Sequence, residues 1–273
     1  VRIGIVAPAS RLEPEMADRI SAVARAEIGA RAELVFHPQC FLADGHFAGA
    51  DRARADAFVE AANDPSLDAI WFARGGYGSA RILPLALPRL EAAARDKAYL
   101  GYSDMGSLFA GLYGMGFAHL AHGPMPADIR RKGGEAAVAR GLSWLVDRSS
   151  TALEPTVSPR VRHAAFNLTI LSHLIGTPWQ PDLTDHVLML EDVSEHMYRI
   201  DRALFHVTSN PAIRKVAGLR LGRISDVLPN ETEFGKTEED VARHWCDISG
   251  IPYLGRADIG HDIDNKVVPF GRL

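Results

Sequence analysis

Two cysteines in 273 residues, Cys40 and Cys246, are too few and too far apart for a disulfide framework. They suit two separate thiols in a reducing compartment. Long apolar runs are missing as well. None approaches the roughly 18 residues that a membrane-spanning helix needs. The opening stretch "VRIGIVAPAS" lacks the charged start, extended apolar core and small-residue cleavage site of a secretory leader. A cytoplasmic protein is therefore expected, with no membrane partner. Basic excess is absent too: 30 Lys and Arg face 34 Asp and Glu, for a formal net charge of -4. Nucleic-acid binding needs a concentrated basic face, so that partner class is not expected. No internal repeat or low-complexity tract interrupts the chain.

What is present is ordinary globular material. Hydrophobic residues make up 47% and charged residues 23%, ample for one large or two modest cores. In the first half, short apolar runs alternate with longer amphipathic segments. Residues 2–7, 32–36, 67–73, 98–102 and 117–121 read as strands. Residues 13–28, 51–63, 78–94, 105–114 and 134–147 read as helices. Continuously apolar strands alternating with helices predict a parallel sheet covered on both faces, with ligands beyond the strands' carboxyl ends. Near Arg148 the texture changes: "RSSTALEPTVSPR" carries Ser, Thr and two prolines with no helical stripe, and reads as a linker. Beyond it, helices are expected near 165–176, 196–209 and 237–249. Strands are expected at 186–193 and 219–228, with short extended pieces around 253–259 and 266–269. The reading is an α/β protein. An N-terminal parallel-sheet domain spans 1–148, a linker 149–163, and a smaller α/β or α+β domain 164–273.

Two strand-to-helix joints stand out. In "GYSDMG", Ser103 falls where an apolar run stops and a helix begins. A tight turn there lifts one side chain out of the packed layers, beside free amide groups and the positive end of a helix. Such a hydroxyl can attack a carbonyl, or it can simply cap the helix. Asp104 reads as helix N-terminal charge and Tyr102 as packing. In "ARGGYGSAR", Gly75, Gly76 and Gly78 follow another strand. That turn suits a phosphate cradle, a source of oxyanion donors, or a plain turn, but it lacks the Lys-Ser/Thr of a P-loop. A serine nucleophile needs a base and an orienting acid. His119 and His122 form H-x-x-H without a third ligand, so no metal is expected there. His261, in "DIGHDIDN", sits in an exposed-looking turn, as a loop-borne base or as a surface histidine. Glu191 closes the run "VLML", and Asp192 is its immediate competitor.

Taken together, "GIVAPAS" (4–10), "ARGGYGSARILP" (73–84), "GYSD" (101–104), "HGPM" (122–125), "LEDVSEHMYRIDRAL" (190–204) and "GH" (260–261) resemble the LD-carboxypeptidases, in family order. That family includes murein tetrapeptide carboxypeptidases and microcin C self-immunity peptidases. The resemblance implies a serine peptidase without cofactor or metal. Its nucleophile would be Ser103, its acid Glu191 and its base His261, with the amides of Gly76 and Asp104 as oxyanion hole. It also implies a homodimer and a site at the junction of the two domains. The implied reaction releases a terminal D-amino acid from a murein-derived peptide. A small peptide is then the partner, and its free carboxylate needs a cation or backbone nest. Arg74 is one contributor to consider; an ordinary ion pair is the other use for it. Where members of the family often carry "GGNL", this chain has "AAFNL" (164–168), which is expected to alter packing near the site. The chain is also short for the family, with reduced loops over the substrate expected. Within the family, cleavage of peptidyl- or aminoacyl-nucleotides is the rival activity. Outside it, a non-catalytic nucleotide or small-molecule binder would use the glycine turn for phosphate and Ser103 as a cap.

Overall fold

The computed structural model describes residues 1–273. Ten strands form two sheets. The first half supplies β1 (Arg2–Val6), β2 (Glu33–Phe36), β3 (Ala69–Phe72), β4 (Ala98–Gly101) and β5 (Leu120–His122). These alternate with α1 (Pro14–Glu27), α2 (Asp51–Asn63), α3 (Ser79–Ala86), the short α4 (Ala92–Arg95), α5 (Gly106–Gly114) and α6 (Gly134–Asp147). The second half supplies β6 (Arg162–Asn167), α7 (Leu168–Leu174), β7 (His186–Val193), α8 (Met197–Ser209), β8 (Gly218–Ser225), α9 (Glu238–Ser249), β9 (Tyr253–Arg256) and β10 (Val268–Pro269). One sheet runs β10-β5-β4-β3-β1-β2 and the other β6-β7-β8-β9. Every pairing is parallel except β10 against β5. The fold class is therefore α/β in both halves. The α+β alternative for the second half falls away, because its sheet is wholly parallel.

The strands form because their runs are apolar on both faces. Every residue of β3 and β4 is buried, as layered sheets require. The single helix expected over 78–94 is divided. α3 ends at Ala86, and a 3₁₀ turn, Leu87–Arg89, precedes α4. Pro88 lies in that turn and has no amide N–H to carry the i to i−4 ladder of α3 onward. β6 is the element the sequence did not announce. Its Ala164 and Ala165 favour helix in isolation, yet all six of its residues align in register with β7. The helix expected from 165 therefore begins only at Leu168.

The halves share one core. A continuous apolar cluster includes Tyr99, Leu108 and Phe109 from the first, and Phe166, Leu188 and Leu219 from the second. Phe270 bridges them, with ring centroids 5.4 Å from Phe109 and 5.2 Å from Phe166. The tail thus returns to the first sheet as β10. The stretch expected as a linker is tied down as well. Leu153 pairs with Val267, and the Asp258 amide donates to Glu154 Oε1 at 3.1 Å. No helix is long and apolar enough to cross a membrane.

Candidate active site

The first sheet reverses its winding between β1 and β3, the place where open α/β sheets leave a crevice. The glycine turn follows β3 there. Its Gly75 carbonyl accepts from the Ser10 amide at 3.2 Å. One strand further along, β4 ends and Ser103 opens a 3₁₀ turn before α5. Ser103 takes a left-handed backbone, φ 63°, which is uncommon for a residue with a side chain and marks a constrained turn. Its hydroxyl caps nothing. Its one hydrogen-bond partner is a histidine ring nitrogen and not a helix amide, so the cap reading of Ser103 does not describe this structure.

Instead, Ser103 Oγ lies 3.0 Å from His261 Nε2, and His261 Nδ1 lies 2.6 Å from Glu191 Oε2. The three residues come from β4's end, from the irregular segment between β9 and β10, and from β7. Glu191 is fully buried, and the His261 side chain is 10% exposed. His261 is therefore no surface turn residue; the loop folds it inward. Burial alone would lower the imidazole's pKa. The charge and hydrogen bond of Glu191, with Asp128 and Asp192 behind it, more than reverse that, and the pKa is raised. With the carboxylate accepting at Nδ1, the proton sits there, and Nε2 is left to accept from the serine.

The choice between Glu191 and Asp192 follows from strand alternation, which sends successive side chains to opposite faces. Asp192 turns away from His261. It accepts from Asn167 Nδ2 at 2.8 Å, from the Thr169 hydroxyl at 2.8 Å and from the Thr169 amide at 3.0 Å. Asn167 belongs to the "AAFNL" block, so this stretch holds Asp192, the neighbour of Glu191 in β7. Phe166 of the same block packs near Gly106, where an added Cβ would meet its ring at 3.1 Å. The expected change in packing therefore falls under the turn that carries Ser103.

The glycine turn lies against the nucleophile candidate. A Cβ on Gly75 would stand 2.8 Å from both Cβ and Oγ of Ser103, so only glycine permits this approach. Gly76 has φ 106°. Asp104 lies in the first turn after β4, as the sequence suggested, but its side chain reaches the start of another helix. It is buried, and its Oδ2 accepts from the Ser79 amide at the start of α3 at 2.8 Å. The Ser79 hydroxyl donates back to the Asp104 carbonyl at 2.5 Å. This reciprocal pair locks the two turns together. Burial raises the Asp104 pKa despite those bonds and the Arg54 charge. Arg54, wholly buried, donates to the Gly78 carbonyl at 2.8 Å and to the Pro8 carbonyl. Nothing in the sequence singled out Arg54, because a charged residue in α2 reads as surface.

Tyr102 is packing, as expected, and more. Its ring centroid is 4.8 Å from that of His261, and its hydroxyl donates to Asp128 Oδ1 at 2.8 Å. The H-x-x-H pair does not converge: His119 is exposed, and buried His122 faces Asn265 at 3.2 Å. Arg74 is half-buried and donates to the Arg11 carbonyl at 3.1 Å, with no carboxylate partner among the chain's salt bridges. The ion-pair use considered for Arg74 is thus not observed. Burial, then the nearby Arg130 charge, lowers its pKa.

Comparison with known proteins completes the picture. The model of the LD-carboxypeptidase N-terminal domain matches residues 3–123, and that of the C-terminal domain matches 163–273. A Synechocystis protein is 32% identical over 240 residues, covering 83% of this chain and 75% of its own length. The crystal structure of muramoyltetrapeptide carboxypeptidase from Oxalobacter formigenes superposes with a TM-score of 0.80 at 25% identity, covering 98% of this chain and 93% of that one. The microcin C7 self-immunity protein MccF, in complex with aspartyl sulfamoyl adenosine, superposes with a TM-score of 0.79 at 20% identity, covering 99% and 91%. With both family domains matched in order along one chain, this protein belongs to the LD-carboxypeptidase family.

Proposed function

We propose that this chain is a serine LD-carboxypeptidase that releases a terminal D-amino acid from a murein-derived tetrapeptide. One observation carries the chemistry: the unbroken relay from Ser103 Oγ through His261 to buried Glu191. His261 Nε2 takes the serine proton as Oγ attacks the scissile carbonyl. Glu191 holds the tautomer and stabilises the imidazolium. The amides of Gly76 and Asp104, bordering Ser103 on two locked turns, receive the oxyanion; one such donor is worth roughly 3–4 kcal/mol. The departing amine takes the proton from His261 as the C–N bond breaks. Water then attacks the ester, giving its proton to His261, which returns it to Ser103. The Oxalobacter relative supports the murein substrate.

Arg74 is the cation proposed for the substrate's free carboxylate. It has no acidic partner, and it directly precedes the glycine turn that touches Ser103. Cleavage of an aminoacyl-nucleotide is the second reading, favoured by the match in fold to MccF. Product analysis by mass, with a muramoyl tetrapeptide and an aspartyl sulfamoyl adenosine in parallel, separates the two. Release of D-alanine that disappears in Ser103→Ala supports the first reading. Turnover unchanged in Ser103→Ala ends both.

A further inference from the structure

The segment between β9 and β10 contains no helix or strand, yet it must hold His261 to hydrogen-bond precision. Two acidic residues flank the histidine, Asp258 three before and Asp262 one after. Both are bound by one side chain. Arg223 Nη1 donates to Asp258 Oδ1 at 2.5 Å, Nη2 donates to Asp262 Oδ1 at 2.9 Å, and Nε donates to Asp262 Oδ2. The Arg223 amide also donates to the Ile259 carbonyl at 2.8 Å. Backbone and side chain of one residue thus grip the segment on both sides of His261. The approach is close: a Cβ on Gly260 would stand 2.9 Å from Arg223 Cβ and 3.0 Å from its Nε.

The place of Arg223 in the sheet matters as much as its contacts. In the β7–β8 pairing, Leu190 aligns with Leu221 and Asp192 with Ile224. Gly222 and Arg223 therefore stand opposite the single residue Glu191. Bulges of this kind re-aim side chains. Here the bulge turns Arg223 toward the loop while Gly222 leaves room for Glu191 and Ile259. We propose that Arg223 is a positioning residue, which fixes the His261 loop, through Asp258 and Asp262, to the strand position opposite Glu191. This rests on the triad reading above. It goes beyond it by naming what sets the base-to-acid distance. A guanidinium fork can satisfy two carboxylates at fixed angles; an ammonium supplies charge without that geometry. Other ties hold the far end of the segment: Arg140 donates to the Ile263 and Asn265 carbonyls, and Asn265 faces His122. The charged and titratable groups around the imidazole itself are Glu191, Asp128, Asp192, Tyr102 and His122, with Arg131 paired to Asp128. None of them is a ligand of Arg223.

The test compares wild type, Arg223→Gln, Arg223→Lys and Asp262→Asn, each checked for native circular dichroism. Three readouts are needed: kcat and KM on a muramoyl tetrapeptide, the rate of Ser103 labelling by a fluorophosphonate across pH, and the downfield proton resonance of the His261–Glu191 hydrogen bond. Misplacing a catalytic group by about 1 Å costs on the order of 100-fold. Arg223→Gln is therefore expected to lower kcat and labelling together by about 10- to 100-fold, with KM within about two-fold. The downfield resonance should broaden or vanish. Arg223→Lys should restore part of the loss, and Asp262→Asn should shift every readout the same way by less. Folded Arg223→Gln with an unchanged resonance and labelling rate overturns the proposal. So does a rise in KM alone, which would make Arg223 a substrate contact. Should Arg223→Gln not fold, the Lys and Asn variants decide by the same criteria. Labelling of wild-type Ser103 without peptide turnover refutes the murein reading and leaves the clamp measurable. The resonance tests the clamp even where Ser103 proves unreactive.

Discussion

At the scale of the residue, the proposed relay depends on the protonation state of His261. Its pKa is raised, because Glu191, Asp128 and Asp192 outweigh the burial that would lower it. Only the neutral imidazole can accept the serine proton. The acid limb of kcat/KM should therefore have its midpoint above the ordinary histidine value of about 6.5. Glu191→Gln removes the nearest negative charge and keeps the shape. It should move that midpoint downward while lowering kcat by several orders of magnitude, as loss of a triad acid does. A pH profile of each protein measures both effects; an unmoved midpoint would show that Glu191 does not set the imidazole's charge. Gly75 makes a second prediction at this scale. Its missing Cβ is the space into which Ser103 fits, at 2.8 Å. Gly75→Ala should cut turnover by roughly 100-fold and cost about 1–3 kcal/mol of stability, since the added Cβ meets the backbone-fixed Cβ of Ser103 as well as its Oγ. Retained turnover in Gly75→Ala would show that Ser103 does not need its present place. These residues were legible in part. Ser103, Glu191 and His261 stand in recognisable blocks, and the structure brings all three together. Arg54, Asp128 and Arg223 were not legible. Each acts through a partner remote in sequence, and a charged residue shows nothing of its partner from its own neighbourhood.

At the scale of the element, sheet defects place the chemistry. The β7–β8 ladder slips between Leu190 and Asp192, alongside Glu191. Gly222, in the bulge, would press an added Cβ to 2.7 Å from Ile259 Cγ1, 2.8 Å from the Ile259 carbonyl and 2.9 Å from Glu191 Cβ. Two of these neighbours belong to the segment that carries His261. Gly222→Ala should cost about 1–3 kcal/mol, the usual penalty of overpacking, read as a lower urea midpoint. It should also slow Ser103 labelling beyond what that destabilisation explains at temperatures where the protein stays folded. Equal labelling would mean that the loop tolerates the displacement. The regular elements were easier to anticipate than their irregularities. β7 was expected at 186–193 and is found there, because an uninterrupted apolar run has few alternatives. β6 was missed because Ala-rich "RHAAFN" owes its strand conformation to β7 alongside it. β5 was expected at 117–121 and lies at 120–122, since Phe117 still bonds back to the end of α5, its amide donating to the Leu112 carbonyl at 3.1 Å. No local signal marks a bulge such as that at Gly222, since it exists only in the pairing of two strands.

At the scale of the whole molecule, the two sheets are joined through a polar seam whose buried histidine should make it sensitive to acid. His122 ends β5 of the first sheet, is buried, and meets Asn265 of the segment that carries His261. Burial pushes its pKa down to about 3, against its hydrogen bond to Asn265 and with the His261 charge adding to the fall. The folded protein therefore keeps His122 neutral, while the unfolded chain protonates it near pH 6.5. The linkage has one sign. Stability from this group is fully present above pH 6.5 and is lost as pH falls from there toward 3, because the unfolded state alone takes up the proton. Between pH 7 and pH 5 the loss comes to about 2 kcal/mol for a shift of this size. His261 acts oppositely: its raised pKa favours the folded state below pH 6.5, and that contribution fades as pH rises through the folded value. The buried seam should therefore weaken in mild acid even though its neighbouring imidazole strengthens. His122→Gln, which cannot ionise and can still donate to Asn265, should flatten the fall in urea-derived stability between pH 7 and pH 5 relative to wild type. It should leave the acid limb of kcat/KM, which the proposed relay assigns to His261, nearly in place. An equal fall in both proteins would mean that His122 is not the group through which acid loosens the joint. A joint movement of the kinetic limb would mean that the two histidines titrate as one unit across the seam.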